Sequence, residues 1–171
     1  MWDRHGAIRR VTLSELFGPH ETLVAYNFMF APREGARPCP SCTSMLDGMD
    51  GQAKHIAQRV ALAAIVRAPI DRVTEFARAR GWRDLRLVSS AGNTFNADYH
   101  GETEDGAQLP MLHAFARRGG RIVHTWSSEL FFLPGDPGQS PRHVDFVWPL
   151  WNVLDATAEG RGTDWYPKLG Y

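Results

Sequence analysis

The chain has 171 residues, 43% hydrophobic and 22% charged, which suits an ordinary soluble globular protein and one domain spanning residues 1–171. Lys plus Arg equals Asp plus Glu at 19 each, so the formal net charge is zero. That balance argues against nucleic acid or an anionic membrane as the main partner, since both require a basic surface. The start, Met1-Trp2-Asp3-Arg4-His5-Gly6, lacks the continuous apolar region of a signal peptide, and no stretch approaches membrane-span length. The cytoplasm is therefore the expected compartment.

Thr12-Leu13-Ser14-Glu15 has the form of a capping box, and Gly18-Pro19 stops the short helix or turn that follows. Leu23 to Phe30 is nearly all apolar, as in a strand buried on both faces. Ala31 to Pro38, rich in Pro, Gly and Arg, reads as a loop. A helix is expected from Pro40 to about Arg59, with Met45, Met49, Ala53 and Ile56 as a core stripe. Gly48 and Gly51 within it predict a bend or a close backbone contact, because each costs roughly 1 kcal/mol against Ala.

Val60 to Val66 is the next buried strand. Pro69 opens a helix with Asp71 in its first turn and Gly81 at its end, and Leu85 to Val88 is a third strand. This β-α-β-α-β order favours a parallel sheet covered by helices. Ser89 to Gln108 is polar and irregular. Met111–Arg117 and Arg121–Trp126 form a hairpin across Arg118-Gly119-Gly120. A loop rich in Pro and Gly spans Phe132 to Pro141, Leu150 to Ala158 reads as a terminal helix, and the tail from Asp164 is aromatic.

Cys39-Pro40-Ser41-Cys42 uses both cysteines of the chain. A Cys-x-x-Cys pair after a strand and at a helix start is a redox arrangement. One helical turn brings the two sulfurs within bonding reach, and the positive field of the helix N-terminus favours thiolate at Cys39. Pro40 fits the first helical position, where a missing N–H costs nothing. In the cytoplasm such a pair reads as a reversible dithiol rather than a structural disulfide. Half of a zinc site is the other reading, but His5, His20, His55, His100, His113, His124 and His143 are scattered without finger spacing.

The element order resembles that of thioredoxin: a central mixed sheet, with a parallel βαβ unit and a C-terminal β-hairpin, flanked by helices. More closely, Tyr26-Asn27-Phe28-Met29-Phe30 before the cysteines, Val88 to Asn96, His124-Thr125-Trp126-Ser127 and Asp164-Trp165-Tyr166-Pro167-Lys168 resemble a bacterial thioredoxin-like family of unknown function. That family is related to the AhpC/TSA peroxiredoxin branch. The resemblance covers nearly the whole chain. It implies a thioredoxin-like α/β fold, and it implies that Leu109-Pro110 matches the superfamily's cis-proline beside the dithiol. Pro32, Ala36 and Cys39 fall at the Pro-x-x-x-Thr/Ser-x-x-Cys spacing of peroxiredoxins, but Ala36 lacks the hydroxyl, which predicts weak peroxidase activity.

The expected activity is thiol–disulfide exchange by Cys39 and Cys42, with Pro40, Ser41, Leu109 and Pro110 contacting substrate. Arg33 and Arg37 are candidate stabilisers of the Cys39 thiolate. No cofactor is expected. The expected partners are a protein or small-molecule disulfide and an unidentified electron donor, with no nucleic acid and no membrane; a homodimer is among the open oligomeric states. One rival is a redox-inactive scaffold displaying Trp148, Trp151 and Trp165. Another is a copper or zinc site in which His124 or His100 joins the two cysteines.

Overall fold

The structure, a computed structural model, describes residues 1, 8–130, 137–138 and 145–169. His5, His143 and most of the Phe132–Pro141 loop lie outside the described residues. Thr12 caps α1 (Leu13–Leu16) as its sequence predicts: the Glu15 N–H donates to the Thr12 hydroxyl and the Thr12 N–H to the Glu15 carboxylate. The chain then enters β1 (Thr22–Phe28). This strand ends two residues before its apolar run does. The Met29 carbonyl accepts from the Cys39 N–H and the Phe30 N–H donates to the Gln108 side chain, so neither group is left for a ladder.

Next come α2 (Pro40–Ile56), β2 (Ala61–Val66), α3 (Ile70–Arg80) and β3 (Leu87–Ser89). Gly81 terminates α3 in the left-handed region, with φ 78°. β3 starts later than the sequence suggests because the backbone N–H groups of Arg83, Asp84 and Leu85 all donate to the Asp50 carboxylate. Asp47 accepts from Arg80 and from the Trp82 indole. These two carboxylates fasten α2 to the end of α3 and the segment leading to β3. Gly48 and Gly51 mark no close contact: a Cβ at either would meet nothing within 4 Å. Both are exposed on the solvent side of α2.

After the short α4 (Phe95–Asp98), β4 (Met111–Arg118) and β5 (Arg121–Glu129) form the hairpin. Gly119 and Gly120 both have positive φ, 56° and 74°, as a two-residue turn matched to strand twist requires. The final helix, α5 (Leu150–Asp155), is shorter than its apolar pattern, since the Ala156 and Thr157 N–H groups tighten onto carbonyls three residues back. The sheet order is β3-β2-β1-β4-β5, with β1, β2 and β3 parallel and β4 and β5 antiparallel to their neighbours.

Successive side chains of β1 point to opposite faces. Tyr26 and Phe28 join α2, α3 and α5 in one core; Leu23 and Ala25 join α1 in the other. A bulge interrupts β4–β5 pairing: Ala114 faces Trp126, whereas Phe115 faces His124, leaving Thr125 as the extra residue. Unbroken alternation would put His124 and Trp126 on one face. The bulge turns His124 to the face opposite the cysteines.

Candidate active site

Cys39 is the N-cap of α2, with Pro40 at the first helical position. Its N–H donates to Met29 at the end of β1, and its carbonyl accepts from both the N–H and the hydroxyl of Thr43. The cap is thus tied to the strand on one side and the helix on the other. The Cys39 sulfur accepts from the Cys42 N–H at 3.4 Å. Both cysteines are free thiols; Cys39 is half-buried and Cys42 is buried.

The two thiols are driven apart in acidity. Cys39 is pushed down to about 7 by a hydrogen bond from the Cys42 thiol, helped by the backbone N–H groups of Cys42 and Ser41, against some desolvation. Cys42 is pushed well up by burial, then by its bond and charge coupling to Cys39. Neither Arg33 nor Arg37 is among the groups that depress Cys39. The arginine that orders this region is Arg72 on α3. It donates to the carbonyls of Ala31, Pro32, Arg33 and Ala36, and its guanidinium lies 4.7 Å over the Phe30 ring.

Tyr26 supplies the other unanticipated group. Its side chain is buried, and its hydroxyl lies against the Cys42 sulfur without completing a full hydrogen bond to any group. Burial, then the Cys42 thiolate, push the phenol well above its usual range, so it stays protonated and able to donate. In the sequence, the only signal is a tyrosine at an inward position of an otherwise apolar run.

The expected cis bond at Leu109-Pro110 is absent: no peptide bond among the described residues is cis. The backbone there is used internally. The Leu109 N–H donates to Gly101, the Met111 N–H to Leu109, and the Leu130 N–H to Pro110. Pro110 does open β4 at the end of the sheet where β1 finishes, as the antiparallel register requires. However, the backbone groups of these two residues, expected to contact substrate, are already bonded internally, and neither residue lines the two cavities beside the dithiol.

Those cavities are made by the tail. One, about 710 Å3, is lined by Cys39, Arg37 and Phe76 together with Pro167, Lys168 and Leu169. The other, about 520 Å3, lies between Pro40, Ser41 and Asp164–Lys168. Buried Arg161 anchors this segment by ion pairs to Asp145 and Asp155, with its guanidinium 5.5 Å from the Trp151 ring centroid. Tyr166 then packs edge-on against Trp151, centroids 5.5 Å apart. Trp148 and Trp151 are core residues, not an exposed patch; of the three suggested tryptophans only Trp165 is exposed.

Among the described residues, no histidine joins the two cysteines in a cluster that could hold a metal. His124 stacks on Phe115 at 4.8 Å, and its Nε2 lies 3.2 Å from Nδ1 of buried His113, across the sheet from Cys42. His100 is also close enough to oppose protonation of His113. Among the described residues, no group of three or more His, Cys, Asp or Glu is placed to hold a metal. No helix among them is long and apolar enough to cross a membrane.

Sheet order, flanking helices and a cysteine pair at the N-terminus of α2 define a protein of the thioredoxin-like fold. Within that class, the chain belongs to the family described as "Bacterial protein of unknown function (DUF899)", which matches residues 4–171. Similar solved structures are peroxiredoxins. A reduced Plasmodium vivax 2-Cys peroxiredoxin aligns with TM-score 0.51 and 14% identity over 72% of this chain and 77% of its own. Plasmodium yoelii thioredoxin peroxidase I aligns with TM-score 0.55 and 13% identity over 90% and 83%. No curated protein matches the chain.

Proposed function

We propose that the protein is a thiol–disulfide oxidoreductase acting through Cys39 and Cys42. One observation carries this reading: a half-buried thiol with its pKa brought to about 7 caps a helix and accepts from the backbone N–H of a second, buried cysteine. The lowered pKa favours thiolate, the nucleophilic form, at Cys39 near neutral pH. Cys39 attacks a substrate disulfide, forming a mixed disulfide and expelling one thiolate. Cys42 then loses its proton, which goes to solvent or the departing thiolate, and attacks the Cys39 sulfur. The second substrate thiolate leaves and a Cys39–Cys42 disulfide forms. Two electrons pass from the dithiol to the substrate, and an external thiol or dithiol donor restores the resting state.

The peroxiredoxin likeness is one of fold. Peroxide reduction is expected to be slow, because Ala36 offers only a carbonyl, which accepts from Arg72 at 2.7 Å. A reversible dithiol fits a reducing compartment such as the cytoplasm.

Insulin reduction, with Cys39→Ser and Cys42→Ser as controls, tests the reading. Cys39→Ser should abolish turnover. Cys42→Ser should trap a mixed disulfide on Cys39. The proposal fails if reduced wild-type protein shows no exchange faster than a free thiol, or if its dithiol potential lies outside the range of about −270 to −120 mV spanned by exchange catalysts.

A further inference from the structure

We propose that the cavity beside Cys39 selects small disulfides that combine an apolar body with a carboxylate or other anionic group. The inference rests on the thiol–disulfide reading and adds the substrate class. Three observations converge on it. First, the cavity of about 710 Å3 has the size of small-ligand sites and contains the more acidic cysteine itself. Second, its walls are apolar, built from Phe76, Leu169 and the rings of prolines on both sides of Cys39 and in the tail. Third, the charged residues lining it are Arg37 and Lys168, with no Asp or Glu.

The two cations come from distant parts of the chain. Arg37 precedes the dithiol in the loop held by Arg72; Lys168 is delivered by the tail held through Arg161 and Tyr166. Neither makes an ion pair among the described residues. Arg37 does not set the acidity of Cys39, so its charge is free to face a ligand. Small residues would close the same cavity equally well. Two unpaired cations at an apolar mouth instead raise the local concentration of an amphiphilic anion and orient its disulfide towards the sulfur. The reaction is the exchange described above, in which the anionic disulfide takes up two electrons and leaves as two thiols.

Single-turnover mixing of the pre-reduced protein tests this without an electron donor. The probes are 5,5′-dithiobis(2-nitrobenzoate), an aromatic dianion, and 4,4′-dithiodipyridine, which is aromatic and neutral at pH 7. Each releases one coloured leaving group on attack by Cys39 and a second on resolution by Cys42. Arg37→Gln and Lys168→Gln should each slow the first phase with the dianion by about three- to fivefold at low salt, and together by about tenfold. The neutral probe should be unaffected. Arg37→Lys should largely restore the rate, and about 0.5 M salt should erase the difference between wild type and double variant. Equal rates for the dianion in wild type and double variant, or parallel slowing with both probes, would overturn the inference while leaving the oxidoreductase intact. Failure of wild-type protein to release the second leaving group from either probe would instead overturn the oxidoreductase reading.

Discussion

Removing the Tyr26 hydroxyl should affect stability and catalysis in opposite directions. The side chain is 1% exposed and its oxygen lacks a full hydrogen-bond partner, so the reduced protein carries a poorly satisfied buried polar group. Such a group costs about 1–3 kcal/mol in protein contexts. Tyr26→Phe should therefore leave the reduced protein as stable as wild type or up to about 1 kcal/mol more stable. When Cys42 ionises, the same hydroxyl becomes a donor to a charged sulfur, worth about 1.5 kcal/mol at the lower end for charged partners. Losing it pushes the Cys42 thiol further up, since that hydroxyl is one of the groups that lower it. A loss of about 1.5 kcal/mol means about tenfold less thiolate, partly offset by higher intrinsic nucleophilicity, since the Brønsted coefficient is about 0.4–0.5. Resolution should thus slow by about threefold to fourfold. Stopped-flow release of the two leaving groups separates the steps: the first phase, governed by Cys39, should be unchanged, and the second should slow. An unchanged second phase, or equal slowing of both, would refute the assignment of Tyr26 to Cys42.

Acid stability should depend on His113. Burial first, then His124 and His100, push this imidazole down to about 4 from an ordinary 6.5. The unfolded chain takes up that proton first, so stability is complete above pH 6.5 and falls as pH drops towards 4, by at most about 3 kcal/mol. Denaturant titrations of His113→Leu should show a flatter pH dependence across that window; an unchanged slope would count against a neutral buried imidazole. Arg161→Met should cost about 1–3 kcal/mol, because it removes a buried guanidinium that two carboxylates share. It should also loosen the tail and slow the reaction with the dianionic probe, and thermal melts with the stopped-flow assay check both effects. Arg72→Met removes four donations to the loop before Cys39 and should cost about 1–2 kcal/mol, a partial return on charged hydrogen bonds that are half exposed. Iodoacetamide rates against pH should then show a Cys39 midpoint above 7; an identical midpoint would show that the cap holds without the loop.

Most of the elements and the placement of the dithiol are legible in the sequence, because their causes are local. A capping box at Thr12, a proline after Cys39, Gly81 after a helix and a Gly-Gly turn each act within a few residues, where chain entropy and backbone sterics leave few alternatives. Apolar runs ordered β-α-β-α-β then imply the parallel half of the sheet. What surrounds the sulfurs is set by contacts between distant parts of the chain. Arg72 reaches a loop about forty positions away, and the tail returns from the far end of the chain to wall the Cys39 cavity. One extra residue at Thr125 turns His124 to the face opposite the cysteines. The trans backbone at Pro110 spends its hydrogen bonds on Gly101 and Leu130, partners no local pattern names. Side-chain period is readable only while a strand stays regular, and long-range contacts depend on how two elements dock rather than on either alone.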